Sequence, residues 1–192
     1  MRIFTQKITV GAQDIDIQNR VSNLCYVNWM QDLAIQHSTA VGWGMERYEA
    51  VGQSWVVRQH TITYKRPAFL GEVITAATWV ASFAPRQSLR RYLFWRGADQ
   101  VVLAEAETNW VYIDLASGRP IRLPDEMRAA FEMVEDAGEV LRLLGASDFP
   151  CCRRPCVAFP PRYLPRMFGG HALWQGLPPV AGRNPAAPRS PA

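Results

Sequence analysis

Long apolar runs are missing from this sequence. No segment reaches the roughly 18 apolar residues that cross a bilayer as a helix, so no helical membrane span and no membrane partner is expected. The opening stretch MRIFTQKITVG has one arginine but no sustained apolar core. No signal peptide is therefore expected, and a cytoplasmic, reducing setting is the default. Cysteine is scarce. Cys25 stands alone, and Cys151, Cys152 and Cys156 cluster in CCRRPC. Three neighbouring thiols invite a zinc reading, but no fourth ligand stands at a suitable spacing (His171 is 15 residues on), and no metal is assigned.

A basic surface is missing from most of the chain as well. The formal net charge of +4 would suit a polyanion partner. Residues 1–144, however, hold 15 Lys and Arg against 16 Asp and Glu, whereas residues 145–192 hold six Arg and one acid, Asp148. The excess belongs to the tail, so no nucleic-acid partner is expected. That tail also holds ten of the 14 prolines and shows no periodicity. We expect residues 1–135 to form one domain and residues 136–192 a Pro/Arg-rich extension of low order.

What is present is patterned. Hydrophobic residues make up 48% of the 192, enough for a sizeable core. FTQKITVGAQD alternates and predicts a strand near residues 3–13. From Asn23 to Val41 the positions Tyr26, Val27, Met30, Leu33, Ala34, His37 and Val41 recur every three or four residues, one face of a helix. Ser22 or Asn23 can cap its start, and Gly42 and Gly44 end it. MERYEAVG suits a short second helix. The period then changes to two, predicting strands over 54–66, 72–84, 88–97 and 100–115, and PDEMRAAFEMVE predicts a closing helix over 124–135. One strand, one long helix and four returning strands predict an α+β fold, an antiparallel sheet wrapped around a single central helix. Long apolar strands carrying Trp55, Trp79, Trp95 and Trp110 suggest edge-to-edge pairing into a dimer.

Asp14 and Asp16 sit where the first strand gives way to the long helix. Their placement carries a resemblance. The run DIDIQNRVSNLCYVNWMQD resembles the D-x-D, turn, tyrosine and apolar-helix signature of hotdog-fold thioesterases. It is similar to both the 4-hydroxybenzoyl-CoA thioesterase branch and the plant-type acyl-ACP thioesterases. The later VVRQHTITYKRPAFLGEVITAATWV resembles the same family's strand with Y-x-x-P-A-x-x-G-D/E. The two motifs in this order, over roughly residues 3–133, form a fairly specific signal. The resemblance implies a hotdog domain and a homodimer or homotetramer with active sites at the subunit interface. It implies hydrolysis of acyl thioesters of CoA or acyl carrier protein, with no metal or organic cofactor required.

Carried over by position, the family's catalytic carboxylate falls at Asp16, acting as nucleophile or as base for a water. Asn23 falls where a backbone N–H holds the thioester oxygen, and Gln18 falls where acyl-ACP thioesterases often have a catalytic Asn. The turn departs from the family: Asn19 and Arg20 replace its common Gly and His, and Ser22 replaces its first Asn. No imidazole is available there, which leaves a carboxylate-centred mechanism. The chemistry is consistent with these groups. A helix N-terminus has N–H groups without intrahelical partners at the positive end of the dipole, and one well-placed oxyanion donor lowers a barrier by about 3–4 kcal/mol.

The other polar residues carry two readings each. Asp14 either caps the turn or pairs with Arg20. Tyr26 and Tyr64 can line the acyl pocket or simply pack. Arg20, Arg90 and Arg91 can hold CoA or phosphopantetheine phosphates, or be solvated. His37 reads as a hydrogen-bonded core histidine, His60 as a surface or interface residue, Glu107 as a support to the site, and Cys25 as a small buried apolar group. Two rivals share the fold: a dehydratase or hydratase, which needs a His–carboxylate pair where Arg20 stands, and an acyl-CoA-binding module without turnover.

Overall fold

A computed structural model describes residues 1–144. Residues 145–192, which make up most of the expected low-order extension and include the Cys151, Cys152 and Cys156 cluster, lie outside the described residues. The element order is β1 (Ile3–Thr9), a 3-10 turn (Ala12–Asp14), α1 (Asn23–Ala40), α2 (Met45–Ala50), β2 (Gln53–Tyr64), β3 (Val73–Ala84), β4 (Gln87–Arg96), β5 (Val101–Asp114), α3 (Asp125–Ala130) and α4 (Ala137–Leu143). The first strand ends at Thr9, short of the expected residue 13, because Gly11 turns the chain into the 3-10 turn that carries Asp14.

The five strands form one antiparallel sheet in the order β1-β3-β4-β5-β2. Only β3, β4 and β5 are a meander. β2 lies beyond β5, and β1 beyond β3, so the eight-residue link from β2 to β3 (residues 65–72) crosses the sheet. This is the hotdog arrangement. α1 lies on the face that carries Ala76, Tyr92, Phe94, Ala104 and Ala106, and it buries Tyr26, Met30 and Leu33 there. Ser22 caps α1, its Oγ accepting from Leu24 N–H at 3.3 Å. Gly42 at φ 82° ends it, a left-handed turn that glycine adopts without a Cβ clash.

The opposite face is also covered. Ala77, Trp79 and Leu93 pack there against Val134 and Val140. The single closing helix expected over 124–135 is therefore replaced by α3, a break at Phe131, and α4. Phe131 joins Val80 and Tyr112 in one cluster, while Val134 joins Trp79 in another. A continuous helix would hold residues three apart on one side. The break lets them serve two faces, and Val134 N–H bonds the Val80 carbonyl at 3.0 Å. The expected domain boundary at 135/136 cuts this packing, since Val140 in α4 is fully buried. The tryptophans are not arranged for edge pairing either. Trp79, Trp95 and Trp110 lie on internal strands, and only Trp55 is on an edge.

Candidate active site

The two sequence motifs interlock at the start of α1. Ile15 and Val21 pair as an antiparallel bridge, and the chain reverses between them. Ser22 N–H bonds the Asp14 carbonyl at 2.8 Å, and Val21 N–H bonds the Ala68 carbonyl at 2.9 Å. Ala68 belongs to the RPAFLGE connection and is 1% exposed, so a larger side chain there would push the two segments apart. Gly71 N–H closes the same contact on the Val10 carbonyl at 2.9 Å, with Gly71 at φ 81°.

The aspartates part. Asp14 Oδ2 accepts from Gly11 N–H at 2.8 Å, so Asp14 caps the 3-10 turn and does not pair with Arg20. Asp16 caps the reversal: its Oδ1 accepts from Gln18 N–H at 2.7 Å and lies 3.5 Å from Arg20 N. Its Oδ2 lies 3.9 Å from Arg20 Nε. The side chain of Asp16 keeps 28% of its exposure. Asn19 takes φ 59° at the tip, a left-handed conformation that Asn tolerates better than most residues. The side chains of Gln18 and Arg20 are exposed. Gln18 enters the turn through its backbone N–H.

At the helix start, Ser22 takes up the N–H groups of Leu24 and Cys25, through its Oγ and its carbonyl. Among the described residues no acceptor meets the N–H of Asn23. The Tyr64 hydroxyl donates to the Asn23 carbonyl at 3.3 Å. Tyr26, one turn along, packs edge-on against Trp29, Tyr64 and Phe94 with ring centroids 5.2, 5.3 and 5.0 Å away. Burial pushes the Tyr26 phenol up to about 12, so it stays protonated. The structure thus gathers Asn23, Tyr26 and Tyr64, with the Asp16 turn joined on through Val21 and Ser22. The Cys25 thiol donates to the Asp14 carbonyl at 3.5 Å. Burial, and then the Asp14 charge, raise its pKa, which disfavours a nucleophilic thiolate.

The arginines and histidines divide differently from the sequence expectation. Arg91 lies on the sheet face away from α1, 3.8 Å from Glu107, which removes both from this site. Arg90 faces α1 and is 5% exposed, so it does not reach a carrier phosphate at the protein surface. His60 is half-buried on the edge strand β2, its Nδ1 2.8 Å from Thr108 Oγ1. His37 is a core histidine, its Nε2–H donating to the Met1 carbonyl at 3.2 Å and its Nδ1 accepting from Arg90 at 2.9 Å. It stands 14 residues beyond Asn23, roughly 21 Å along the helix. The His37–Arg90 pairing went unseen in the sequence. Its one trace was a histidine on an apolar stripe.

Comparison with known proteins fits this geometry. The family model for the acyl-ACP thioesterase N-terminal domain matches residues 1–131. A chloroplastic palmitoyl-acyl carrier protein thioesterase of Gossypium hirsutum is 22% identical over 166 residues, 79% of this chain and 40% of that protein. The long-chain acyl-CoA thioesterase FadM of Escherichia coli is 22% identical over 131 residues, 67% of this chain and 96% of that protein. The crystal structure of an acyl-ACP thioesterase from Bacteroides thetaiotaomicron superposes with a TM-score of 0.64 at 19% identity, covering 70% of this chain and 54% of that one. The chain spans less than half the length of the chloroplast relatives it matches and nearly all of the bacterial acyl-CoA enzyme.

Proposed function

The chain belongs to the family of the acyl-ACP thioesterase N-terminal domain, and from that premise we propose that it hydrolyses acyl thioesters of CoA or acyl carrier protein to the free acid and the thiol. The observation that carries this reading is the N–H of Asn23 at the mouth of α1, which meets no acceptor among the described residues, with Asp16 seven positions before it in the reversal that leads into the helix. The N–H stabilises the oxygen of the tetrahedral intermediate. Asp16, held by Gln18 N–H through Oδ1, presents Oδ2 either to the thioester carbon or to a water. In the water route, the water oxygen bonds to the carbonyl carbon and gives its proton to Asp16. The C–S bond then breaks, and the proton passes to the departing thiolate. Tyr64, 42% exposed, and the half-buried Trp29 flank this end of α1 and would meet the first carbons of the acyl chain, with Tyr26 and Phe94 buried behind them, and exposed Arg20 would meet the carrier's phosphates.

The chain acts, on this reading, as a homodimer or homotetramer. The edge strand β2 carries Val56 at 41% and Tyr64 at 42% exposure, and its outward N–H and C=O groups suit pairing with a second copy. Light scattering after size exclusion would give twice or four times the chain mass.

Thiol release with a panel of acyl-CoA and acyl-ACP chain lengths tests the reaction. Turnover of at least one class is expected. Binding without thiol release across the whole panel would overturn the hydrolase reading in favour of a binding module. Water addition to an enoyl thioester, without release, would favour a hydratase.

A further inference from the structure

A cavity lies well away from the Asn23 end of α1. The cavity is about 180 Å³ and sits between α1, α2, the sheet and the break at Phe131. Ala34, Ile35, Val80, Phe83, Trp110 and Phe131 give it apolar walls, and among the described residues Arg90 is its one charged lining residue. Ala34 is 11 residues beyond Asn23, roughly 16 Å along the helix.

Arg90 is a buried cation without a carboxylate. No Asp or Glu lies within ion-pair distance of it among the described residues. Its Nη1 donates to His37 Nδ1 at 2.9 Å and to Thr78 Oγ1 at 3.3 Å. His37 commits its Nε2–H to the Met1 carbonyl, so its Nδ1 is an acceptor and the ring is neutral. Two neutral acceptors and the Phe131 ring, 5.7 Å from the guanidinium carbon, compensate only part of the charge. The Nε and Nη2 hydrogens meet no acceptor among the described residues. A buried charge of this kind calls for a counter-ion, and a guanidinium fork matches a planar carboxylate.

We propose that this cavity binds a small apolar carboxylate of about six to eight carbons, its carboxylate pairing with Arg90 and its hydrocarbon filling the space toward Phe83 and Trp110. The size follows from volume: a dry core cavity of about 150 Å³ takes a benzene ring. The neutral acceptor His37 turns the guanidinium so that one edge stays free for the ligand. The carboxylate can belong to a free acid or to the far end of a long acyl chain whose thioester lies at Asn23.

Calorimetric titration of the full chain with octanoate and with octanamide tests this. Octanoate is expected to bind at least tenfold more tightly than the amide of the same shape. Arg90→Met should cut that preference below threefold. Ile35→Trp, at a position 45% exposed at the cavity wall, should fill the space and abolish octanoate binding without disturbing the core. Equal affinity for the two ligands, no binding of either at millimolar concentration, or a tenfold preference surviving in Arg90→Met would each overturn the proposal. The wild-type comparison decides even if Arg90→Met fails to fold. Hydrolysis of hexadecanedioyl-CoA against hexadecanoyl-CoA separates the two sources. A preference for the former places the carboxylate on the substrate chain, and no preference, with octanoate still bound, places it on a free acid. Absence of all hydrolysis would sink the thioesterase reading alone, since the titration does not depend on turnover.

Discussion

The hydroxyl of Tyr64 reaches the main-chain carbonyl of Asn23 at 3.3 Å, joining the last residue of β2 to the first residue of α1 across 41 positions of sequence. The bond holds an edge strand to the end of the helix where the Asn23 N–H meets no acceptor among the described residues. Four expectations follow from this junction and the core behind it.

Asp16→Asn removes the charge and the proton acceptor but keeps an oxygen that can accept from Gln18 N–H, so the turn survives. Turnover should fall at least 100-fold, the scale of a lost general base, while the thermal midpoint moves by no more than a few degrees. Full thiol release by this variant would remove Asp16 from the chemistry.

Ala68→Leu overpacks the point where RPAFLGE meets Val21. Extra carbons in a filled site cost about 1–3 kcal/mol, and the Val21–Ala68 hydrogen bond would lengthen. Urea denaturation should show that loss, with a drop in thiol release beyond what the unfolded fraction explains. An unchanged midpoint would mean that the two motifs do not press on each other.

Stability should depend on pH through His37. Burial, and then the Arg90 charge, lower its pKa from 6.5 to about 4. The folded state therefore holds the ring neutral where the unfolded chain would protonate it. The stabilisation is fully present above pH 6.5 and is lost as pH falls toward 4, with a size of about 3 kcal/mol. Arg90, the Met1 carbonyl and amino terminus, and the rings of Phe4 and Phe131 face this histidine, and none of them reverses the sign. Denaturation between pH 7.5 and 4.5 should show the slope, and His37→Gln should flatten it.

Val140→Asp places a carboxylate in the fully buried contact between α4 and the sheet. Loss of at least 3 kcal/mol is expected, from burying an unpaired charge and losing apolar area. Shortening the chain to residues 1–135 should lower its midpoint in the same way. A truncated chain as stable as the full one would restore the boundary expected from the tail's composition.

Much of the fold was legible because local patterns and tertiary demands agree. The step from a 3.6 to a 2.0 period at Ser54 separates α1 from the strands, and Ser22 and Gly42 mark the ends of α1 where the structure has them. The closing helix was misjudged because DEMRAAFEMVE is helical by propensity, while Phe131 and Val134 are needed on opposite sides of the sheet. The Asp16 turn, Asn23, Tyr26 and Tyr64 were found through motifs. The Arg90–His37 pair was not, because its partners lie 53 positions apart and meet only after the sheet has formed.

SLRRYLFWR shows where one kind of knowledge stops and the other begins. Strand alternation dictates that Arg90 and Arg91 leave the chain in opposite directions, and any extended backbone would do the same. It does not say which of the two goes inward. That was decided by pairing Arg90 with Val80 and Thr108, which fixes the face that α1 covers. One arginine was thereby buried beside a histidine, and its neighbour was left against Glu107 on the far side. The residues and their order determined a helix, five strands and a motif. Only the packing of one on another, through register and excluded volume, decided which charge lost its water.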